Sequence, residues 1–360
     1  MPSATDSGTA SSADQGVGDR PNWPLLAGLR FILALIVAMS HIAFVLNRGS
    51  YAFYESLGPI AAVMVFFAIS GYSMRHSYAR EPEGFYRRRF WRIAPLHWVG
   101  CIGVVLPYLI WGRDYTVIVA PGQSASWPMA PWPVYLSQFF GLFPALYPYS
   151  AQGFNGPMWS LGCEAAFYVM VPRIAKTPRN VLWMVTLLSV ALIAVYVPRN
   201  SWWTGYAGYI GFFLLGWMLP DYREQKWFVA LGTFLFAASS IILMTPADQK
   251  GRGETYAPIL AACAWLVLCL SPRLTVPARL RGFANYLGDI SFPLYIIHLP
   301  LAWCLLPLYL PKPYSSNWVV AGYAVIVSAV LLHIVDKPLR RYGRQGLAWG
   351  KRVGVVAGEG

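Results

Sequence analysis

Long apolar stretches, separated by short polar segments, follow one another along most of the 360-residue chain. A helix needs about 20 mostly apolar residues to cross the hydrocarbon core of a bilayer. The expected fold class is therefore all-α, a polytopic integral membrane protein. By this criterion the pattern predicts ten membrane-spanning helices, near residues 24–46, 57–74, 93–112, 158–174, 180–197, 203–219, 227–245, 256–270, 289–309 and 317–336.

The remaining segments complete the predicted domain organisation. Residues 1–22 are rich in Ser, Ala, Gly and Asp, which predicts a disordered cytoplasmic tail rather than a secretory signal. Residues 23–342 are expected to form one membrane domain, followed by a second cytoplasmic tail at 343–360. The Pro-interrupted aromatic stretch 132–148 is interpreted as an interfacial or re-entrant segment, with an eleventh span as the alternative.

Charge is scarce, and its placement predicts the orientation of the spans. Charged residues make up 12% of the chain, yet the net charge is +13. If the N-terminus is cytoplasmic, 21 of the 28 Lys and Arg residues fall on the inner side, 6 on the outer side, and Arg30 inside the first span. This is the positive-inside bias of a multi-pass protein of the inner (plasma) membrane, with both termini cytoplasmic. Topology and anionic lipid account for the charge, so we expect the lipid bilayer and not nucleic acid as a partner.

The five cysteines all lie in apolar stretches and form no CxxC pair. This pattern argues against a disulfide framework and against a zinc site. We therefore predict no bound metal.

Two ionisable residues, Arg30 and His41, interrupt the first apolar span. An arginine at the centre of a membrane helix costs about 2.5–3.5 kcal/mol. Eleven residues of helix advance about 20° past three full turns, so both side chains share one face, about 16 Å apart along the axis. Ionisable residues inside a membrane typically mark a functional site, which predicts a polar cavity here. The alternatives are that Arg30 snorkels to the inner interface and that His41 bonds a neighbouring helix.

Six short motifs occur in order along residues 24–342. The chain carries Arg30-x10-His41, "FFAISGYSM" (66–74), "RRRFWRIAPLHW" (87–98), "WSLGCEAAFYVMVP" (159–172), "ISFPLYIIHLPL" (290–301) and "HIVDKPLRRY" (333–342). In this order the motifs resemble those of the acyltransferase 3 family of membrane-embedded enzymes. The chain departs from the family pattern at three positions, with His97 in place of a common Tyr, Ala165 in place of a second acidic residue, and Asp336 in place of Glu.

The resemblance implies an O-acyltransferase. Such an enzyme transfers an acyl group, most often acetyl from acetyl-CoA, to a sugar hydroxyl of an exopolysaccharide, lipopolysaccharide or lipid-linked glycan precursor. Acyl-CoA is then a cosubstrate, and no bound cofactor is expected. Acyl transfer needs a base, stabilisation of the oxyanion and a binding site for the donor. His41 is the candidate base, with a transient acyl-histidine as the alternative use of the same ring.

Other residues complete the predicted site. Glu164 lies four residues after Ser160 and four before Tyr168, so the three share a helix face. We assign Glu164 to the catalytic set, either orienting His41 or holding an acceptor hydroxyl, with an ion pair to Arg30 as the other reading. Ser160, Tyr168 and His298 are candidates for lining the cavity.

Donor binding is assigned to arginines, because the guanidinium fork suits the phosphates of coenzyme A. Arg30 is the first candidate, since topology does not require a cation inside the span. Arg88 and Arg92 belong to the cluster 87–92 at the inner end of the third span, where the positive-inside bias alone also predicts arginine.

Three rival functions remain at this stage. The first is O-acylation of a small glycosylated metabolite such as a macrolide, or use of succinyl in place of acetyl. The second is a transporter or proton relay, which also places His, Glu and Arg inside spans. The third is a non-catalytic membrane subunit, for which replacing His41 would change only stability.

Overall fold

The computed structural model describes residues 21–46, 53–111, 116–120, 123–126, 155–199, 202–244, 256–309 and 316–342, together with four single residues between 133 and 140. Most of these residues are helical. The elements are α1 (Trp23–Leu46), α2 (Pro59–Arg80), α3 (Phe85–Gly103), α4 (Leu106–Trp111), β1 (Thr116–Ala120), β2 (Gln123–Ser126), α5 (Met158–Lys176), α6 (Arg179–Arg199), α7 (Trp202–Tyr222), α8 (Lys226–Met244), α9 (Ala257–Leu270), α10 (Ala278–Tyr309) and α11 (Ser316–Leu331), which continues through a π-helical turn (Leu332–Asp336).

Nine of the ten predicted spans each fall on one helix, whereas 93–112 is divided between the end of α3 and the short α4, so the helical positions are confirmed with one break. Within the described ranges, five helical stretches are long and apolar enough to cross a membrane, at Trp23–Val45, Phe53–Arg80, Lys226–Leu243, Ala278–Leu305 and Asn317–Tyr342. The count of ten crossings and the cytoplasmic termini stay predictions. The tails at 1–20 and 343–360, and nearly all of 132–148, lie outside the described residues.

A small antiparallel hairpin of β1 and β2 is an addition to the predicted all-α fold. Its first strand is Thr-Val-Ile-Val-Ala, and β-branched residues favour extended backbone. In the sequence, Pro121 and Gly122 stand between the strands, a pair typical of turns. The hydrophobic pattern missed the hairpin because it is too short and too isolated to register as a span.

Helix α2 lies at the centre of the bundle, with most of its apolar stretch buried. One hydrophobic cluster packs α2 against α5, α7, α8 and α9, whereas a second packs α1 against α10 and α11. The helix begins at Pro59, which is suited to a first helical turn because it lacks an N–H. The five helices α1, α2, α3, α5 and α10 meet at the inner end predicted from the charge pattern, and the cavity described below lies among them.

Two glycines let the backbones of α2 and α7 touch. A Cβ atom at Gly71 would lie 1.9 Å from the carbonyl oxygen of Phe213, and one at Gly216 would lie 1.8 Å from that of Ala68. Small residues at such contacts are typical of helix pairs in membranes, where close van der Waals packing drives association. The contact fixes α2, and with it the side chains that α2 presents to the cavity.

Candidate active site

A partly open cavity of about 350 Å³ lies among α1, α2, α3, α5 and α10. Its wall combines an apolar part that is rich in aromatic rings with a polar part that contains four arginines. The apolar part includes Phe66, Phe67, Ile93 and Phe292, and the polar part includes Arg30, Ser70, His76, Arg80, Arg89, Arg92, Ser160, Glu164, Tyr168 and Tyr295.

Three partly buried guanidinium groups, those of Arg30, Arg89 and Arg92, line this cavity from two helices, and the exposed Arg80 at the end of α2 is a fourth. Arg30 Nε donates to the carbonyl of Leu26 (3.4 Å), and Arg89 Nη2 donates to Ser77 Oγ (2.7 Å). Burial lowers the pKa of Arg89 to about 10, which leaves its guanidinium charged at neutral pH. Among the residues that the structure describes, none of the three has a carboxylate within 4 Å, so the wall carries excess positive charge.

Glu164 supplies the carboxylate among the described residues that line the cavity. Its Oε1 accepts hydrogen bonds from Ser70 Oγ (2.6 Å) and from the hydroxyl of Tyr168, and the two hydroxyls lie 2.9 Å apart. Hydrogen bonds to an ionised acceptor are stronger than neutral ones, so this group is held in one orientation. The ion pair with Arg30 considered from the sequence is not formed between these two described side chains.

Tyr295 lines the cavity and also contacts His298. Its hydroxyl lies 2.7 Å from Ser160 Oγ and 3.0 Å from the carbonyl oxygen of Pro157. The same ring packs edge-on against Phe66 and against His298, at centroid distances of 5.9 and 6.1 Å. Tyr295 therefore contacts both the lining of the cavity and the next polar group along α10.

That next group is a pair of histidines, one from α1 and one from α10. His298 Nε2 lies 3.2 Å from His41 Nδ1, and the ring centroids are 5.2 Å apart. His298 Nδ1 lies 3.0 Å from the carbonyl oxygen of Leu294. His298 is fully buried, and His41 is half-buried.

The structure brings together five of the eight site residues predicted from the sequence, namely Arg30, Arg92, Ser160, Glu164 and Tyr168, all of which line the cavity. His41 and His298 contact each other beyond Tyr295. Arg88 points elsewhere and donates to the backbone oxygens of Glu81 and Glu83, with a further ion pair to the Glu81 carboxylate (3.2 Å).

Three residues that line the cavity, Ser70, Arg89 and Tyr295, were not assigned from the sequence. A signal for Arg89 was present, because the R-x-x-R-x-x-P motif falls on Arg89, Arg92 and Pro95 and not on Arg88. Residues three apart on a helix share a face, which places Arg89 beside Arg92. Ser70 and Tyr295 also lie inside quoted motifs, but their partners come from distant helices.

Comparisons with a family model and with known proteins agree on acyltransferases. The family model described as an acyltransferase domain, acyltransferase 3, matches residues 24–335. The chain is 36% identical over 337 residues to "Acyltransferase MdmB" of Streptomyces mycarofaciens, covering 76% of this chain and 78% of that protein. It is 24% identical over 236 residues to "Putative acetyltransferase ORF330" of Acidianus two-tailed virus, covering 61% of this chain and 65% of that protein. No solved structure matches.

Proposed function

The chain belongs to the acyltransferase 3 family, and on that premise we propose that it is a membrane O-acyltransferase that uses acyl-CoA, with acetyl as the group transferred and a sugar hydroxyl as the acceptor. Family membership supports acyl transfer over the transporter hypothesis. The donor, the acceptor and the residue roles below are inferred from the geometry of the cavity.

The observation that carries the donor assignment is the cationic cavity wall. Arg30, Arg89 and Arg92 converge there with one carboxylate, which is itself held by two hydroxyls. Guanidinium forks bind phosphate in bidentate geometry, and coenzyme A carries several phosphate charges. We therefore assign these three arginines to the phosphates of acyl-CoA, and we replace Arg88 by Arg89 in the donor-binding set.

The positions of Arg30 and His41 on one helix support a long donor. Both residues lie on α1, and their separation along the axis is about 16 Å. A donor bound at Arg30 must therefore be anionic at one end and reactive at the other end of an extended arm. Coenzyme A thioesters have this form, because a pantetheine arm separates the phosphates from the thioester. A compact donor such as an acyl phosphate would not reach His41.

The chemical step follows from these positions. His41 takes the proton from the acceptor hydroxyl as its oxygen attacks the thioester carbonyl carbon. The carbon–sulfur bond then breaks, and His41 returns the proton to the leaving sulfur, so that coenzyme A departs as the thiol. Glu164 keeps the hydroxyls of Ser70 and Tyr168 oriented in the cavity and limits its positive charge. It has no contact with His41 among the side chains described, so the structure gives no support for Glu164 as the group that orients His41.

The proposed cellular setting is the inner (plasma) membrane, with about ten crossings and both termini in the cytoplasm. Cytoplasmic acyl-CoA then enters at the inner end of the bundle, where α3 and the end of α2 carry their arginines. The acceptor chemistry is a sugar hydroxyl. A surface glycan, a lipid-linked precursor and a small glycosylated metabolite share that chemistry, and the experiment below separates them.

The test is acetyl-CoA turnover by the purified protein in lipid nanodiscs. Release of coenzyme A is followed by chromatography, with surface polysaccharide of the host or a glycosylated macrolide as acceptor, and acetyl ester formation is followed by proton NMR. We expect turnover with the wild-type protein, loss of turnover with His41→Ala, and turnover equal to wild type with His333→Leu, since His333 is exposed and bonds Tyr286 (3.4 Å).

Each outcome decides between named alternatives. Turnover with the macrolide but not the polysaccharide assigns the small-metabolite acceptor. If coenzyme A neither binds the wild-type protein nor is released from acetyl-CoA with any acceptor, the acyl-CoA proposal is wrong. Equal turnover by His41→Ala and the wild-type protein would remove His41 from the catalytic set.

A further inference from the structure

The histidine of α10 has a contact pattern that bears on the proposed base. His298 is fully buried, and each of its ring nitrogens has one partner within hydrogen-bond distance. Nδ1 faces the carbonyl oxygen of Leu294, one turn earlier in the same helix, and Nε2 faces His41. The first contact satisfies only one of the two ring nitrogens, and the second nitrogen is paired with the proposed base.

The Leu294 carbonyl determines which ring nitrogen of His298 carries the hydrogen. A carbonyl oxygen only accepts hydrogen bonds, so Nδ1 of His298 carries the hydrogen at the 3.0 Å contact. In a neutral imidazole the other nitrogen is then an acceptor. Nε2 of His298 therefore presents a lone pair to His41.

The position of the hydrogen on the His41 ring follows from its position on the His298 ring. Facing an acceptor at 3.2 Å, Nδ1 of His41 must be the donor and so carries the hydrogen. Nε2 of His41 is then the unprotonated nitrogen, which is the form that a general base needs.

We propose that His298 is a positioning residue that holds His41 in the Nδ1–H tautomer, with Nε2 of His41 free to take the proton of the acceptor hydroxyl. This inference rests on the proposed function of His41 as the base. In the Ser-His-Asp arrangement a carboxylate fixes the tautomer of the histidine in the same way. Here a neutral imidazole anchored on a backbone carbonyl takes that place, since no carboxylate contacts His41 within the part of the chain that the structure describes.

The bond between the rings also gains strength during the reaction. When His41 accepts the proton on Nε2, its ring becomes a cation, and the Nδ1–H donor then makes a charge-assisted hydrogen bond to His298. The interaction is stronger in the transition state than in the resting enzyme, so its loss lowers kcat and leaves binding of the donor unchanged.

The kinetic test compares two replacements of His298. His298→Leu keeps the site apolar and removes the acceptor, whereas His298→Gln places an amide oxygen near the former Nε2 position. We expect kcat of acetyl-CoA turnover to fall about 100-fold in His298→Leu with KM for acetyl-CoA unchanged, the low end of what a general base contributes. His298→Gln should recover to within about tenfold of wild type. His333→Leu is the matched control and should behave as wild type.

A spectroscopic test is independent of turnover. The chain has only five histidines, so ¹⁵N-histidine NMR of the protein in nanodiscs is tractable, with His41 assigned from the signals lost in His41→Ala. In the wild-type protein we expect a protonated, pyrrole-type Nδ1 and a pyridine-type Nε2 for His41. In His298→Leu the tautomers should mix, and in His298→Gln the wild-type pattern should return.

The outcomes separate this inference from the proposed function. If the wild-type protein does not turn over acetyl-CoA, the proposed function fails, and the NMR result still decides the tautomer. If His41→Ala is inactive but His298→Leu is as active as wild type, or the leucine and glutamine variants are equally impaired, the positioning role is wrong. Should His298→Leu not fold, a pyridine-type Nδ1 on His41 in the wild-type spectrum would by itself overturn the proposal.

Discussion

Replacing Gly71 with alanine tests the packing that fixes the cavity wall. A Cβ at this position would lie 1.9 Å from the carbonyl oxygen of Phe213. Carbon and oxygen in a close but favourable contact stay about 3.3–3.6 Å apart. Both sides of the contact belong to helix backbone, so no side chain can move aside. The helices α2 and α7 must therefore separate by about 1.5 Å, the difference between these distances.

The cost of that separation is the balance of two opposing terms. Overpacking a well-packed site costs about 1–3 kcal/mol, and a contact between two backbones belongs at the upper end. Alanine is a better helix former than glycine by up to about 1 kcal/mol, which offsets part of the loss. We expect Gly71→Ala to destabilise the protein by about 2 kcal/mol. Activity should fall as well, because the neighbouring Ser70 donates to Glu164 (2.6 Å) and would be displaced with α2.

The matched control is Gly322→Ala in α11, where a Cβ would meet nothing within 4 Å. Thermal stability of the detergent-purified proteins is measured as the temperature at which half of the monodisperse peak is lost. At roughly 2–4 °C per kcal/mol, Gly71→Ala should melt about 4–8 °C below wild type, and Gly322→Ala at or slightly above it. Gly216→Ala, the reciprocal contact, should resemble Gly71→Ala. If Gly71→Ala melted together with Gly322→Ala, the backbone contact between α2 and α7 would be refuted.

Three further substitutions test the charged groups. Glu164→Gln should lower kcat for acetyl-CoA at least about tenfold, because the hydroxyls of Ser70 and Tyr168 lose their charged acceptor. KM should stay unchanged or fall, since the net positive charge of the cavity wall increases. Steady-state kinetics measures both values. Arg92→Met should raise KM for acetyl-CoA about tenfold, and by less at high salt. The control Arg279→Met, at an exposed position, should leave KM unchanged. An equal KM in the two variants would contradict the donor assignment. Arg340→Leu should cost about 3–5 kcal/mol in a melting assay, because it leaves the Asp336 carboxylate, 2% exposed, without its ion-pair partner; an unchanged melting temperature would show that the pair contributes nothing.

The hydrophobic pattern predicted where the helices lie but not how they face one another. Spans were found because about 20 apolar residues are a strong local signal. Periodicity places residues on one face of a helix and does not state which helix packs against that face. The contact between His41 and His298 joins residues 257 positions apart, and that between Ser70 and Glu164 joins residues 94 apart. Neither is encoded in local spacing.

The two neighbouring arginines of α3 show that the same limit of sequence-based prediction applies to single residues. Arg88 and Arg89 differ by one position, which is about 100° around the helix axis. Composition and the positive-inside bias treat them alike, and the rotation of α3 within the bundle decides which one faces the cavity. Packing directs Arg89 to the cavity, where it bonds Ser77, and Arg88 to the loop that contains Glu81. The fixed spacing of the R-x-x-R-x-x-P motif indicates which arginine faces the cavity, whereas the clustering of like charges does not.

The three partly buried arginines of the cavity wall, Arg30, Arg89 and Arg92, carry an energetic cost that another group must offset. Partly buried cations that share one wall lose hydration and repel one another, which lowers the stability of the folded chain. Glu164 does not balance them, because its carboxylate is engaged by two hydroxyls and carries one charge against three. Such an arrangement is typical of a site whose ligand is an anion. On the proposed function the phosphates of the donor supply that charge, and α1 holds Arg30 and His41 at the two ends of the path that the donor occupies. The arginine and the histidine that interrupt the first apolar span are then the binding and the reacting ends of one substrate site.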